Sequence, residues 1–568
     1  MSAPTPASGS AAAYDFIVVG AGAAGCLLAN RLSADPGHRV LLLEAGGRTD
    51  SLWHRVPVGY RYTIGTARAD WCHESEPEPG LGGRRLAHPR GKGLGGSTAI
   101  NGMVCIRGQA ADYDGWRDLG LPGWGWSDVL PLFKRHEDFF AGADAHHGAG
   151  GEWRVDAPRM WWPVLDAVHD AAVACGVPPT DDFNRGDNLG VGPVHVNQRQ
   201  GRRWSAADAF LSPAVRRRPN LEVVTGALAD RLLLDGRRAV GVTWLQDGVR
   251  RSAHCRGEVV LAAGAFGSPS VLLRSGIGPA DHLAELGIET LLHRPGVGAN
   301  LHDHLQVAQR FRLAAGPTLN EAMNRLGGQA AMALRYLLTR RGPLTMAPCQ
   351  LGLFAMSRPG LARADIGYNV LAFSRSGGFD APFDPHPGLT LVVYDLRPTS
   401  RGRLRLHSAD PGVPPRLLFN FLTTARDRQV VADAMRFSRR LMQQPAMARY
   451  APEELWPGPA VSDDDDAALL AAAAEKAGSI YHPVGTARMG RPDDPLAVVD
   501  AQLRVLGIEG LRVADASVMP EVPSGNTAMP TLMVAEQAAR FLLLPSPSAT
   551  AAPPASTRGA PRAEVTPA

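Results

Sequence analysis

At 568 residues the chain exceeds one ordinary core, so two domains or one large elaborated domain are expected. A hydrophobic content of 45% and a charged content of 20% are those of a globular protein, and a net charge of +4, small and evenly spread, gives no argument for a nucleic-acid or anionic-membrane partner. No apolar run approaches the ~18 residues that a membrane span needs, which excludes an α-helical membrane protein.

Residues 1–13 are rich in Ala, Ser and Pro, lack a basic and a hydrophobic region, and read as a disordered N-terminus rather than a secretory signal. Tyr14 to Gly25, YDFIVVGAGAAG, runs a short apolar strand into Gly20, Gly22 and Gly25, and an amphipathic segment follows from Cys26 to Leu32. In such a strand–turn–helix the glycines let backbone approach a pyrophosphate, whose charge the helix N-terminus holds. A second strand, Val40 to Leu43, ends in Glu44, about 20 residues on, where an acid receives a ribose hydroxyl. This pattern predicts a dinucleotide site.

A Gly/Pro/aromatic stretch leads to a second glycine loop, Gly91 to Gly102, GKGLGGSTAING. Gly108 to Gly125 reads as loop, and Ser127 to Glu137 as a helix capped by Ser127. Beyond Asn220, short strands alternate and end in a second strand-to-helix unit, with an apolar strand at Val259 to Ala263 and a helix from Ser268. Residues 306–475 mix helices with strands near Thr390–Tyr394 and Gly402–Leu406, and Asp463–Asp466 is either an acidic helix start or a solvated charge run. A last strand ends at Asp515, a loop carries Asn526, and Thr531 to Leu543 is helical with Pro530 in its first turn. The expected fold is α/β, with a doubly wound dinucleotide-binding domain (14–305 and 476–544) assembled from both chain ends. A substrate domain (306–475) is inserted between them, and 545–568 forms a disordered tail. Six scattered cysteines without metal spacing read as buried thiols of a reducing compartment, with the cytoplasm as default.

Two glycine loops, the second leading to Asn101, point to a ligand longer than a nicotinamide nucleotide, such as FAD. On these residues the chain resembles the glucose–methanol–choline (GMC) oxidoreductases, flavoenzymes that oxidise alcohols. The resemblance rests on GAGAAG, LLLEAG, RGKGLGGSTAINGMV (Arg90–Val104), GAFGSPSVLLRSGIG (Gly264–Gly278) and PGVGANLHDHL, and on YHPVGTARMG (Tyr481–Gly490) and GLRVADASVMPEVPSGNTAMPTLMVAEQAA (Gly510–Ala539). It implies FAD held by Gly20, Gly22, Ala23, Ala24, Gly25, Glu44, Ala45, Arg90, Gly91, Gly95, Gly96, Ser97, Thr98, Asn101, Gly102, Met103, Val104, Ala229, Asp515, Ala516, Asn526 and Thr527. Some members bind the flavin covalently through a histidine just before the asparagine of the second loop; Ile100 stands there here, so the FAD is expected to be non-covalent. Cys105, where many members carry an aromatic residue, is expected at the substrate cavity or, as a small apolar thiol, buried in the sheet.

By position His482 matches the family's catalytic histidine and Asn526 the second active-site residue. A neutral imidazole near working pH accepts the hydroxyl proton that precedes hydride loss from an alcohol, and an amide orients and stabilises the same oxygen. No metal is expected: His302-Asp303-His304 lacks a fourth ligand, and the family uses that stretch structurally. His146-His147 reads as a loop pair without a partner and Arg216-Arg217-Arg218 as a solvated turn. The expected partner is a small-molecule alcohol, with O2, a quinone or a carrier as electron acceptor and no nucleic acid; the sequence does not set the oligomeric state. A hydroxynitrile-lyase-like enzyme or a fatty-acid photodecarboxylase is the alternative on the same fold, ahead of a non-catalytic nucleotide-binding protein.

Overall fold

The computed structural model describes residues 13–377 and 381–544; the expected disordered termini at 1–12 and 545–568 lie outside the described residues. Strand β1 (Tyr14–Val19) leads into helix α1 (Ala23–Leu32), which returns to β2 (Val40–Glu44). β1 pairs parallel to β2, and β2 to Leu221–Thr225. Because helices cover the sheet, these strands are buried apolar runs rather than alternating ones. Helix α1 is buried almost all round rather than amphipathic, since it lies between the sheet and the helix Ala528–Leu543.

The strand Val249–Leu261 joins two halves of this sheet. Its first half pairs antiparallel with Arg238–Gln246, while its second half runs parallel to β1 on one side and to Leu511–Val513 on the other. The last of these comes from the C-terminal segment, so both chain ends share one sheet. The C-terminal ends of its parallel strands, at Val19, Glu44, Ala262 and Asp515, open on a single crevice, the place where such sheets bind ligands.

A second, largely antiparallel sheet orders Glu453–Trp456, Leu305–Arg312, Gly388–Asp395, Ile366–Leu371, Leu351–Ala355 and Gly190–Pro193, with Gly478–Ser479 beside Leu305–Arg312. It reaches outside 306–475, because Gly190–Pro193 and Gly478–Ser479 supply hydrogen-bond partners to its edges. Helix Ala425–Met442 covers one face with an apolar stripe, and Thr424 caps it by accepting from the Asp427 N–H.

Several local readings change. Ala110–Asp118, within the expected loop, is a helix: the Asp112 carboxylate accepts from the Gln109 N–H at 2.8 Å, closing a capping box that its Trp/Gly/Asp composition conceals. The next helix starts one residue early, at Trp126, with Gly125 as cap donating to Asp128 at 3.1 Å. The helix after Val249–Leu261 begins at Gly264, not Ser268. Asp465 caps Asp466–Lys476 by accepting from Ala468, so the acidic run is a helix start. His147 is not partnerless: buried, it bridges Glu137 at 2.9 Å and Asp182 at 2.8 Å. Arg218 is not merely solvated, since it donates to Asn30 O and Ser33 Oγ. Of the six thiols, Cys72 is exposed and Cys175 half-buried.

Candidate active site

One cavity of about 680 Å³ runs from the C-terminal ends of the first sheet to the face of the second. At its first end lie Gly20, Gly22, Ala23, Ala24, Glu44 and Ala45, with the second glycine loop above them. The two loops touch backbone to backbone: a Cβ on Gly96 would stand 2.7 Å from the Gly22 Cα. Gly25 does not line the cavity; a Cβ there would sit 1.8 Å from Gly20 O, so its glycine lets α1 pack against β1. Gly95 also lies off the wall, donating from its N–H to Ala21 O at 2.7 Å.

Glu44 ties three segments together. Its carboxylate accepts from the N–H groups of Ala21 (2.9 Å), Gly46 (2.7 Å) and Gly93 (3.0 Å), and burial pushes its pKa up against these bonds. Asp515, likewise buried and raised, accepts from Gly264 N (2.8 Å) and Ser517 N (2.8 Å). Asn101 accepts from Met103 N at 3.1 Å and from the buried Arg203 at 2.8 Å. The remaining expected wall residues, Arg90, Gly91, Ser97, Thr98, Gly102, Met103, Val104, Ala229, Ala516 and Thr527, all face the cavity. Cys105 does not: it is buried in the main core, with Sγ 3.8 Å from Met103 O, so the thiol is a packing residue.

A dinucleotide fits this wall. Helix α1 and helix Ala528–Leu543 both begin at the cavity, and neither has a side-chain cap, so their first N–H groups and positive ends are left for a ligand. At Gly22 a Cβ would meet only Ala262 O, at 4.0 Å, so the fold tolerates a side chain there and the cavity has to take it. Gly22→Val is therefore expected to fold and to purify without FAD. The flavin-to-protein absorbance ratio with the thermal melt checks this, and stoichiometric flavin in the variant would contradict it.

His482 and Asn526 meet at the other end. Asn526 Nδ2 lies 3.1 Å from His482 Nε2. His482 Nδ1 lies 3.0 Å from His304 Nδ1, and His304 Nε2 lies 3.0 Å from Leu396 O. The chain of partners sets the tautomers. A carbonyl only accepts, so His304 carries its proton on Nε2 and offers Nδ1 as acceptor. His482 then donates from Nδ1, which leaves Nε2 as a lone pair facing the Asn526 amide. Burial pushes the His304 pKa down to about 4, which keeps it neutral. Burial, then His304 and then Arg90, hold His482 well below the ordinary histidine value.

The surroundings fix both side chains in place. The His482 N–H donates to Asp303 Oδ1 at 2.7 Å, and Arg90 donates to Tyr481 O at 2.6 Å, holding Tyr481 at φ 70. Asp112 accepts from Ser524 N at 2.7 Å, and Asn188 donates to Ser524 O at 2.7 Å, clamping the loop that carries Asn526. His302 joins Asn300 O at 2.6 Å to Val522 N at 3.0 Å. The His-Asp-His run thus builds the histidine site. Sequence reasoning gave Asp303 and His304 only a structural part, without placing them beside His482, and missed Asp112 and Asn188.

Residues 14–306 and 398–535 match the GMC oxidoreductase family. The oxygen-dependent choline dehydrogenase of Vibrio vulnificus (strain YJ016) is 40% identical over 536 residues, 94% of this chain and 95% of the relative. The mitochondrial choline dehydrogenase of Mus musculus is 39% identical over 541 residues, 93% of this chain and 89% of the relative. Among solved structures, pyridoxine 4-oxidase from Mesorbium loti superposes with a TM-score of 0.84 at 32% identity, covering 93% of this chain and 98% of that one.

Proposed function

The chain belongs to the GMC oxidoreductase family, an FAD-dependent oxidoreductase acting on CH–OH donors, and from that premise we propose that His482 and Asn526 are its active-site pair. The observation that carries the reading is the 3.1 Å approach of Asn526 Nδ2 to a His482 Nε2 whose lone pair is left free by the His304 contact. An alcohol oxygen seated between the two gives its proton to Nε2 and receives an N–H from the amide. The resulting imidazolium keeps its Nδ1–H on His304, so proton uptake at Nε2 leaves that hydrogen bond in place. Negative charge left on the substrate oxygen is met by Asn526, and the neighbouring carbon becomes a hydride donor. FAD, when bound, supplies the hydride acceptor. The uncapped start of helix Ala528–Leu543 adds a positive end at that part of the cavity.

The family favours this oxidation over a lyase or a photodecarboxylase on the same fold. No helix among the described residues is long and apolar enough to cross a membrane. Mixed anaerobically with a panel of alcohols, the oxidised enzyme is expected to lose its flavin colour with at least one of them. Unchanged colour with every alcohol, while a cyanohydrin is split, would contradict the proposal.

FAD is held without a covalent link, because Ile100 at the cavity wall has no group to form one. Acid precipitation is expected to release all the yellow colour to the supernatant; colour retained in the pellet would overturn this.

A further inference from the structure

The wall that receives the substrate is the face of the second sheet. On the strand Leu305–Arg312, Gln306, Ala308 and Arg310 face the cavity, following His304 in the same alternation. The register sets Ala308 beside Val392, itself paired with Asn369, and Arg310 beside Thr390, itself paired with Leu371. All of these line the cavity. Next to the histidine pair the wall is neutral: Gln306, Ala308, Val392, Asn369 and Cys349. Gln306 donates to Ser479 O, and Cys349 Sγ to Asn369 Oδ1. Four residues beyond Gln306, about 13 Å at ~3.3 Å per residue, stands Arg310, with Arg375 also on the cavity wall.

Two carboxylates, Glu44 and Asp515, line this cavity among the described residues, and both belong to the first sheet with their oxygens engaged by backbone N–H groups. Two aromatic faces at the cavity already carry the protein's own cations: Lys92 lies 4.8 Å from the Trp71 ring and Arg375 5.8 Å from that of Phe373. A quaternary ammonium group, which donates no hydrogen bond, needs a carboxylate or open aromatic faces to replace its water. Among the described residues, the second-sheet wall of Gln306, Ala308, Asn369, Leu371, Thr390 and Val392 gives it neither. Arg310 donates to Ser376 Oγ at 3.0 Å, and no carboxylate among the described residues pairs with it directly. The nearest acid in its network, Asp384, is reached only through the Ser376 hydroxyl.

Resting on the alcohol-oxidation reading above, we propose that the substrate is an elongated alcohol ending in a carboxylate, with its hydroxyl at His482 and Asn526 and its acid at Arg310. The chemistry is that of an ω-hydroxy acid, opposite in charge to choline.

The test compares anaerobic flavin reduction by an ω-hydroxy acid, the diol of the same length and the matching ω-trimethylammonio alcohol, with choline and 3,3-dimethylbutan-1-ol as a short isosteric pair. The acid is expected to exceed the ammonium alcohol by about tenfold or more in second-order rate, the advantage shrinking as salt rises. 3,3-Dimethylbutan-1-ol is expected to exceed choline. Arg310→Gln is expected to remove the advantage of the acid over the diol while the diol still bleaches the flavin. An ammonium alcohol reacting as fast as the acid, or an order unchanged in Arg310→Gln, overturns the proposal. Failure of every alcohol to bleach the flavin overturns instead the alcohol-oxidation reading on which it rests.

Discussion

Replacing His482 by alanine is expected to lower the anaerobic flavin-reduction rate by about 10²–10⁴, the range for loss of a general base. FAD is expected to remain bound, because His482 is not one of the glycine-loop and strand-end residues that form the dinucleotide wall. The variant is expected to fold, since the Asp303 bond is made to the backbone N–H of residue 482 and survives the truncation. Stopped-flow reduction with a saturating alcohol measures the effect, and flavin content is the control. A rate near that of the wild type would remove His482 from the chemistry.

Replacing Asn526 by alanine is expected to cost ~10²–10³ in the same rate, by analogy with loss of one donor to a developing oxyanion. The geometry makes a further demand. Asn526 Nδ2 and His482 Nε2 are 3.1 Å apart, and under the proposed reading they share one substrate oxygen, so the two losses are expected to be coupled. The double variant is therefore expected to be less impaired than the product of the single effects. Losses that simply multiply would mean that the two residues act independently, and the shared oxygen would be wrong.

The parts of this account that were legible in the sequence are those whose physics is local. GAGAAG declares a tight strand-to-helix turn because only glycine allows the Gly25–Gly20 approach, and Glu44 follows at the next strand end. His482 and Asn526 sit in short loops whose residues carry the family resemblance. What escaped was set by long-range pairing. His304 and His482 are 178 residues apart, and they meet because the Leu305–Arg312 strand pairs with Gly478–Ser479. Asp112 is 412 residues from the Ser524 it holds, inside a segment whose glycines and tryptophans read as loop. Cys105 was expected at the cavity or in the sheet from its position alone. Its neighbours Met103 and Val104 line the cavity, and it packs into the core behind them.

Glu44 shows the same limit in electrostatics. A strand-end acid reads as a ribose ligand, yet three backbone N–H groups already converge on it, so its first task is to hold the two glycine loops together. That architecture could not be read from spacing, because the second loop lies nearly 50 residues farther along the chain.

The pH dependence of anaerobic flavin reduction, wild type against His482→Ala, tests the central claim most directly. Only the neutral imidazole accepts a proton, and burial with the His304 and Arg90 neighbours holds its pKa well below 6.5. A base with a lowered pKa works at every pH above that value and fails only below it. The wild-type rate is therefore expected to stay level through neutral pH and to fall on the acid side, while the alanine variant, slower throughout, has no such acid limb. An acid limb of the same midpoint in both proteins would contradict the assignment of His482 as the base.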